Sequence, residues 1–246
     1  MAQHKNSCRK LDIRVMAAVV TLCLLMPVIV RAADDAAEQT RLKSAGDVLK
    51  ELLNSPNGIP INLLNKSECV IILPSVKKAG FIVGASYGRG AMSCRSGESF
   101  DGSWSAPIMM QSSGGSFGLQ AGGQATDFVV LVMNDKGAKA VLNGKAKLGG
   151  DASVAAGPVG RDAEASTNAA MSAEMLSYSR AQGVFAGVSL SGTSLGPDSG
   201  ANEKIYGKKV SGQDIFSGSV QPPPSAQELL STLQDKSPKN VSRGKS

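Results

Sequence analysis

Histidine is all but missing from this chain: one stands among 246 residues, His4, inside the N-terminal leader segment. Without imidazole, Ser-His-Asp and Cys-His catalysis have no base, and the commonest metal ligand is absent. Aromatic residues make up only 4% and include a single tryptophan, so the core must rest on Val, Ile, Leu, Ala and Met. After residue 32 no apolar run approaches the roughly 20 residues that a bilayer span needs. Cysteine is sparse too. Cys8 and Cys23 fall in the leader, which leaves Cys69 and Cys94. In an oxidising compartment these two read as one disulfide, worth about 3 kcal/mol by chain entropy. Two buried free thiols are the alternative.

The leader is read from Arg9, Lys10 and Arg14, followed by an apolar run from Val15 to Val30 and the small-residue site around Val30-Arg31-Ala32. That order is a cleaved secretory signal over residues 1–32, which places the protein in the periplasm or cell envelope. An uncleaved anchor fits less well, because the run is short and Pro27 interrupts its end. Of the 26 basic and 20 acidic residues, the leader holds Lys5, Arg9, Lys10, Arg14, Arg31 and Asp12, so 21 and 19 remain, a net charge of +2. Beyond Gln234, Lys236, Lys239, Arg243 and Lys245 face Asp235 alone, and the body from 33 to 234 nets −1. The basic character therefore sits at the two ends and gives no footprint for nucleic acid.

Leu42, Ala45, Leu49 and Leu52 recur at spacings of three and four, which predicts an amphipathic helix from Asp35 to Asn54, stopped by Ser55-Pro56-Asn57-Gly58. Strands are expected at Cys69–Leu73 (ended by Pro74), Phe81–Cys94, Ser103–Gln111, Phe117–Gln124 and Asp127–Met133, with a short helix at Asp135–Leu142. Leu148–Ala156, Glu164–Arg180 and Val184–Leu195 continue the strand-rich body, and Ala201–Tyr206 is a last helix or turn. Strands in runs, rather than alternating with long helices, predict an α+β fold. Its core is an antiparallel sheet or barrel with peripheral helices, the amphipathic one at the N-terminus of the domain. Gln221-Pro222-Pro223-Pro224 marks the exit from a domain spanning 33–220. A brief helix capped by Ser225 is expected next, and then a basic, disordered tail within 221–246.

Motifs for chemistry are thin. Ser75-Val76-Lys77-Lys78 has the Ser-x-x-Lys spacing of lysine-activated serine enzymes, without companion motifs. Its plain reading is a turn with two solvated lysines. The glycines at 84, 88, 90, 114, 115, 118, 122 and 123 form no phosphate loop, and glycine inside strands marks bulges or close packing. Asp127, Asp151, Asp162 and Glu164 show no distinctive spacing. The chain therefore reads as a non-enzyme that needs no cofactor.

A more specific signal runs through Lys78-Ala79-Gly80-Phe81, Gly84, Gly88, Gly90, Gly102-Ser103-Trp104-Ser105-Ala106-Pro107 and Gly115-Ser116-Phe117-Gly118 with Asp127. It continues through Leu148-Gly149-Gly150-Asp151, Ala155-Ala156-Gly157-Pro158, Phe185-Ala186-Gly187, Ala201-Asn202 and Tyr206-Gly207. In order and spacing the segment from about 43 to 216 resembles the SYLF family of lipid-binding domains. The resemblance implies binding to membrane lipids, phosphoinositides in the eukaryotic members, partly through an amphipathic helix at the start of the domain. It also implies actin binding in some eukaryotic members, and it carries no catalytic residues over.

Transferred to this chain, it makes a phospholipid or membrane surface the expected partner. Leu42, Leu49, Leu52 and Leu53 would meet the acyl boundary, and Arg41, Lys43, Lys50, Lys77 and Lys78 the phosphates. Asp47 and Glu51 dilute the helix charge. Trp104 and an Asp151–Arg161 pair read as fold determinants. A module that binds other envelope proteins is the alternative.

Overall fold

Five consecutive apolar residues, Cys69 to Leu73, open the first strand, and the computed structural model shows why none is polar. Cys69, Ile71 and Leu73 belong to one buried cluster and Val70 and Ile72 to another, on opposite faces of the strand. A strand covered on both sides loses the usual alternation. The structure describes residues 35–56, 58–80, 83–117, 124–144, 146–150, 152–159, 172–181, 184–187, 190 and 192–242. The leader, the Asp151–Arg161 pair and most of the expected 117–124 strand lie outside these. Contacts divide the chain between Ala37 and Glu38, and the sheet and its covering helices belong to the unit Glu38–Ser246.

Helix α1 covers 35–54, and α2 is Ile61–Lys66. The sheet opens with β1 (Cys69–Gly80), β2 (Val83–Cys94), β3 (Ile108–Phe117) and β4 (Gln124–Val132). Helix α3 (Asp135–Leu142) starts where the Asn134 side chain accepts the Gly137 N–H. Next come β5 (Ala146–Lys147), β6 (Val154–Ala156), β7 (Met175–Ala181), β8 (Val184–Gly187) and β9 (Thr193–Pro197). Helices α4 (Ser199–Tyr206), α5 (Gly212–Phe216) and, after a 3-10 turn at Pro224–Ala226, α6 (Gln227–Lys236) complete the chain.

The strand order is β5-β9-β3-β2-β1-β4-β7-β6, with β8 also on β7. Every named pairing is antiparallel except β6 with β7. The two ends of that order are joined through the short link from Lys147 to Val154. Eight flat strands would hold their edges about 34 Å apart, at roughly 4.8 Å per step. Seven residues reach about 25 Å at most. The sheet must therefore curl. Leu148 and Ala152, which form a bridge in the link, join the cluster of Ile71, Met92, Met110 and Val130, so that cluster fills the concave side. The fold is the expected α+β one, with an antiparallel, barrel-like core and peripheral helices.

Several expectations are corrected. The sequence ends the first strand at Pro74, yet β1 runs on to Gly80 through a bulge. Its register with β2 shifts between Ile72 and Lys77, and with β4 between Leu73 and Val76. A bulge is where a strand tolerates proline. Ser75 takes φ 52° there. Of Ser103–Gln111, the part before Ile108 makes only a bridge, Arg95 to Trp104, and β3 runs past Gln111 to Phe117. Val184–Leu195 divides into β8 and β9. Ser225 caps nothing, because the 3-10 turn intervenes and α6 has no side-chain cap. Cys69 and Cys94, directly opposite on β1 and β2, are bonded.

The brief helix expected after the Pro-rich exit is present as α6 and docks on the sheet, and the tail expected to be disordered after it docks at its start. Ala226, Leu229 and Leu233 are fully buried in the cluster on the convex side, and Ser237 is buried beyond them.

Residues of the glycine-rich motifs act as fold determinants. A Cβ on Gly157 would lie 2.1 Å from the Tyr178 ring, so the backbone there packs flat on the aromatic face. Asn202 accepts the Met109 N–H at 2.8 Å and donates to the Met109 carbonyl at 3.3 Å, fixing α4 to β3. The Tyr206 hydroxyl donates to the Pro107 carbonyl at 2.6 Å, and burial pushes its pKa upward.

Candidate functional site

Convex-side residues of the sheet meet α1 over one half of their strands and solvent over the other. Leu42, Ala45, Val48, Leu49 and Leu52 of α1 share a buried cluster with Val70, Ile72, Ala91, Val129, Leu131, Leu176 and Tyr178. Leu42, Leu49 and Leu52 have no exposed surface. The apolar stripe read as an acyl contact is thus core in this state, and only Leu53 is part-exposed. Between α1 and the sheet, Val48, Leu52, Val129, Tyr178 and Arg180 line a crevice with no room for a water molecule.

Ionic contacts fasten α1 along its length. Glu38, 2% exposed, pairs with Arg41 on its own helix and with Arg89 on β2 at 2.9 Å. Arg89 also donates through Nε (2.9 Å) and Nη2 (2.7 Å) to Asp198, which caps α4. Burial, and then the charge of Arg89, lower the Arg41 pKa. Lys50 pairs with Glu228 of α6 at 2.7 Å, which raises its pKa through that hydrogen bond. At the C-terminal end Glu51 pairs with Arg180, which also holds Asp127 at 2.6 Å. Asp127 in turn accepts the Ser75 N–H at 2.8 Å and so ties down the bulge.

These contacts set an order of effects. Replacing Glu38 by Ala leaves two guanidinium groups facing each other without their shared carboxylate, and breaking such a buried arrangement costs about 3 kcal/mol. Lys50→Ala, at an exposed pair, should leave the denaturant midpoint where it is. Urea unfolding of both variants checks the contrast, and equal midpoints would mean that the Glu38 contact does not hold α1 in place.

The cations read from the sequence do not form one patch. Arg41 and Lys50 are engaged in ion pairs, Lys43 is exposed on α1, and Lys77 is exposed on β1. The Lys78 side chain lies outside the described residues, so the Ser75–Lys78 arrangement has no described geometry.

Beyond the end of α1 the structure shows a surface that sequence reading missed. Across five strand pairings, Ala125, Lys77, Tyr87, Ser113, Ser194 and Lys147 are successive ladder partners. All six are exposed, Tyr87 at 51%. The row has a tyrosine near its middle, a lysine beside it and another at the β5 edge. The signal for it lay in β2, where a Cβ on Gly88 would strike Val76 and one on Gly90 the Ile72 backbone. Glycine at these positions marks the crowded concave face, so Ala85, Tyr87 and Arg89 must lie on the other. Among the described residues no group of three or more His, Cys, Asp or Glu could hold a metal, and no helix is long and apolar enough to cross a membrane.

Comparison with known proteins adds relatives. Residues 113–236 match the family model described as Ysc84, Las17-binding protein actin regulator. The chain is 36% identical over 208 residues to SH3 domain-containing protein PJ696.02 of Schizosaccharomyces pombe, covering 80% of this chain and 47% of that one. It is 35% identical over 193 residues to LAS seventeen-binding protein 3 of Saccharomyces cerevisiae, covering 76% and 41%. With SH3 domain-containing YSC84-like protein 1 of Homo sapiens it shares 33% over 213 residues, covering 84% and 61%. The chain thus spans about half the length of these relatives. No solved structure matches it significantly.

Proposed function

The chain belongs to the Ysc84, or SYLF, family, and from that premise we propose that it is a non-enzymatic module which binds an anionic membrane surface through the bare convex face of its sheet. The observation that carries this reading is the pairing of exposed Tyr87 with Lys77 on adjacent strands. Tyrosine settles at the membrane–water boundary with its ring among lipid and its hydroxyl in water. Lys77 and Lys147 add about 1 kcal/mol each near an anionic surface. Such binding is weak, salt-sensitive and reversible. Helix α1 covers the other half of that convex side instead of inserting.

Vesicle co-sedimentation tests it. The chain should pellet with phosphatidylserine-containing vesicles at low salt and stay in solution with phosphatidylcholine alone. A Lys77→Glu, Tyr87→Ser double change should weaken binding at least tenfold while leaving the melting midpoint unchanged. Undiminished binding by that variant would remove this face from the mechanism. Leu49→Asp or Leu52→Asp cannot serve as the test, because both positions are core.

Action outside the cytoplasm, at a bacterial envelope, is part of the proposal. The charged and apolar leader supports it, as does a bonded Cys69–Cys94 pair, since disulfides persist in oxidising compartments. The intact mass of protein recovered from the envelope should correspond to a start at Ala33, and a mass that retains residues 1–32 would count against cleavage.

A protein-binding role is the second reading, favoured by the naming of relatives for Las17 binding. In the co-sedimentation test, absence of binding to either vesicle type would bring it forward.

A further inference from the structure

Arg95, one rung past the disulfide at the end of β2, is the largest fully buried side chain among the described residues. Its guanidinium stacks 4.2 Å from the centroid of the Trp104 ring. Residues 237–242 lie across the two. Nη2 of Arg95 donates to Ser237 Oγ at 2.6 Å and to the Lys239 carbonyl at 3.1 Å, and Trp104 Nε1 donates to the Ser237 carbonyl at 2.9 Å. Asn240 Nδ2 reaches the Phe100 carbonyl at 2.7 Å, and the Val241 N–H the Asn65 carbonyl at 2.8 Å.

Two features of this contact stand out chemically. First, the donors outnumber what the segment supplies. Arginine carries five N–H groups, yet Nε and Nη1 are buried without a hydrogen-bond partner. All the groups that residues 237–239 present to Arg95 and Trp104 are neutral acceptors. Among the described residues no carboxylate comes within ion-pairing distance of Arg95, although the Glu68 carbonyl takes its backbone N–H at 2.8 Å. Burial alone brings the guanidinium pKa down to about 10. A buried cation without a counter-charge is costly. Second, the covering segment is held mainly by polar contacts. Ser237 is buried, but Pro238 and Lys239 are exposed and Val241 is 49% exposed. A segment with little buried apolar surface opens easily.

We propose that Arg95 and Trp104 form a seat for a phosphate-type oxyanion, and that residues 237–242, which offer it only uncharged acceptors, are its cover, displaced when the anion binds. Phosphate oxygens would supply the lone pairs and negative charge that Ser237 and Lys239 cannot. The site is independent of the membrane reading. Arg95 lies eight residues along β2 from Tyr87, roughly 26 Å away at strand rise, and either proposal can fail alone.

Trp104 is the sole tryptophan of the chain, so fluorescence excited selectively over that of the tyrosines reports this seat. Titration of the full chain with inorganic phosphate should give a saturable change that chloride at equal ionic strength does not. Asn240→Ala, which loosens the cover by one hydrogen bond, should bring saturation at about fivefold lower phosphate. Arg95→Met should abolish the response. If that variant does not fold, Arg95→Lys should weaken the response, because it keeps the charge but loses the planar donors. A response to phosphatidic acid vesicles but not to free phosphate would identify the source of the anion as a lipid headgroup. A response no different from chloride in both arms overturns the proposal, and so does a phosphate response that survives in Arg95→Met.

Discussion

Deleting residues 35–56 is expected to leave a chain that does not fold. Helix α1 places Leu42, Leu49 and Leu52, all without exposed surface, over Val70, Ile72, Val129, Leu131 and Tyr178. Truncating one such leucine costs about 2–5 kcal/mol, so three account for roughly the whole 5–15 kcal/mol by which domains are stable. The truncated chain should lose near-ultraviolet circular dichroism and its cooperative melt, and should aggregate through the uncovered sheet. A folded, soluble product with an unchanged melt would mean that α1 is an appendage. That outcome would return the apolar stripe to the membrane.

The second large effect concerns one glycine. At Gly90 a Cβ would stand 1.9 Å from the Ile72 carbonyl oxygen and 2.9 Å from the Leu73 Cα, both backbone atoms of the neighbouring strand at its bulge. Nothing there can swing aside as a flexible side chain could. Gly90→Ala must therefore move β1 against β2, where the disulfide also ties them. The expected loss lies at or above the top of the ~1–3 kcal/mol range for overpacking. Gly115→Ala on β3 is the control, since a Cβ there meets nothing within 4 Å. Its effect should stay within about 0.5 kcal/mol. Chemical denaturation of the pair checks the contrast, and equal stability would mean that the bulge backbone yields.

Among the helices α1 and α3 were legible, whereas the short α2 and α5 were not expected. Period and punctuation placed α1 at 35–54, because Ser55-Pro56 acts locally, and α3 stands at the expected Asp135–Leu142. Strand ends were less legible. Pro74 is a stop signal in isolation, and only a partner strand shows that a bulge absorbs it. The expected strand stopped at Gln111, and only the pairing of Gly114 and Gly115 with Ser86 and Ala85 shows that β3 runs on.

The site was half legible for a deeper reason. An apolar helical stripe looks the same whether it faces lipid or a sheet, so Leu49 and Leu52 fitted both uses, and burial decides between them for this state. Lys77 was visible as a charge. Tyr87 was not, because its meaning depends on which face of β2 looks outward. Ser237 gave no signal at all, since a serine followed by proline in a basic tail has no apolar pattern to predict docking.

Amide hydrogen exchange of the chain, with and without phosphatidylserine-containing vesicles, tests most directly whether the bare face, and not α1, meets the membrane. The α1 amides are expected to stay protected in both conditions while protection rises around Lys77, Tyr87 and Ser113. Loss of protection across 42–52 on vesicles, with none gained on β1 to β3, would contradict it. The helix would then leave the sheet to enter the membrane.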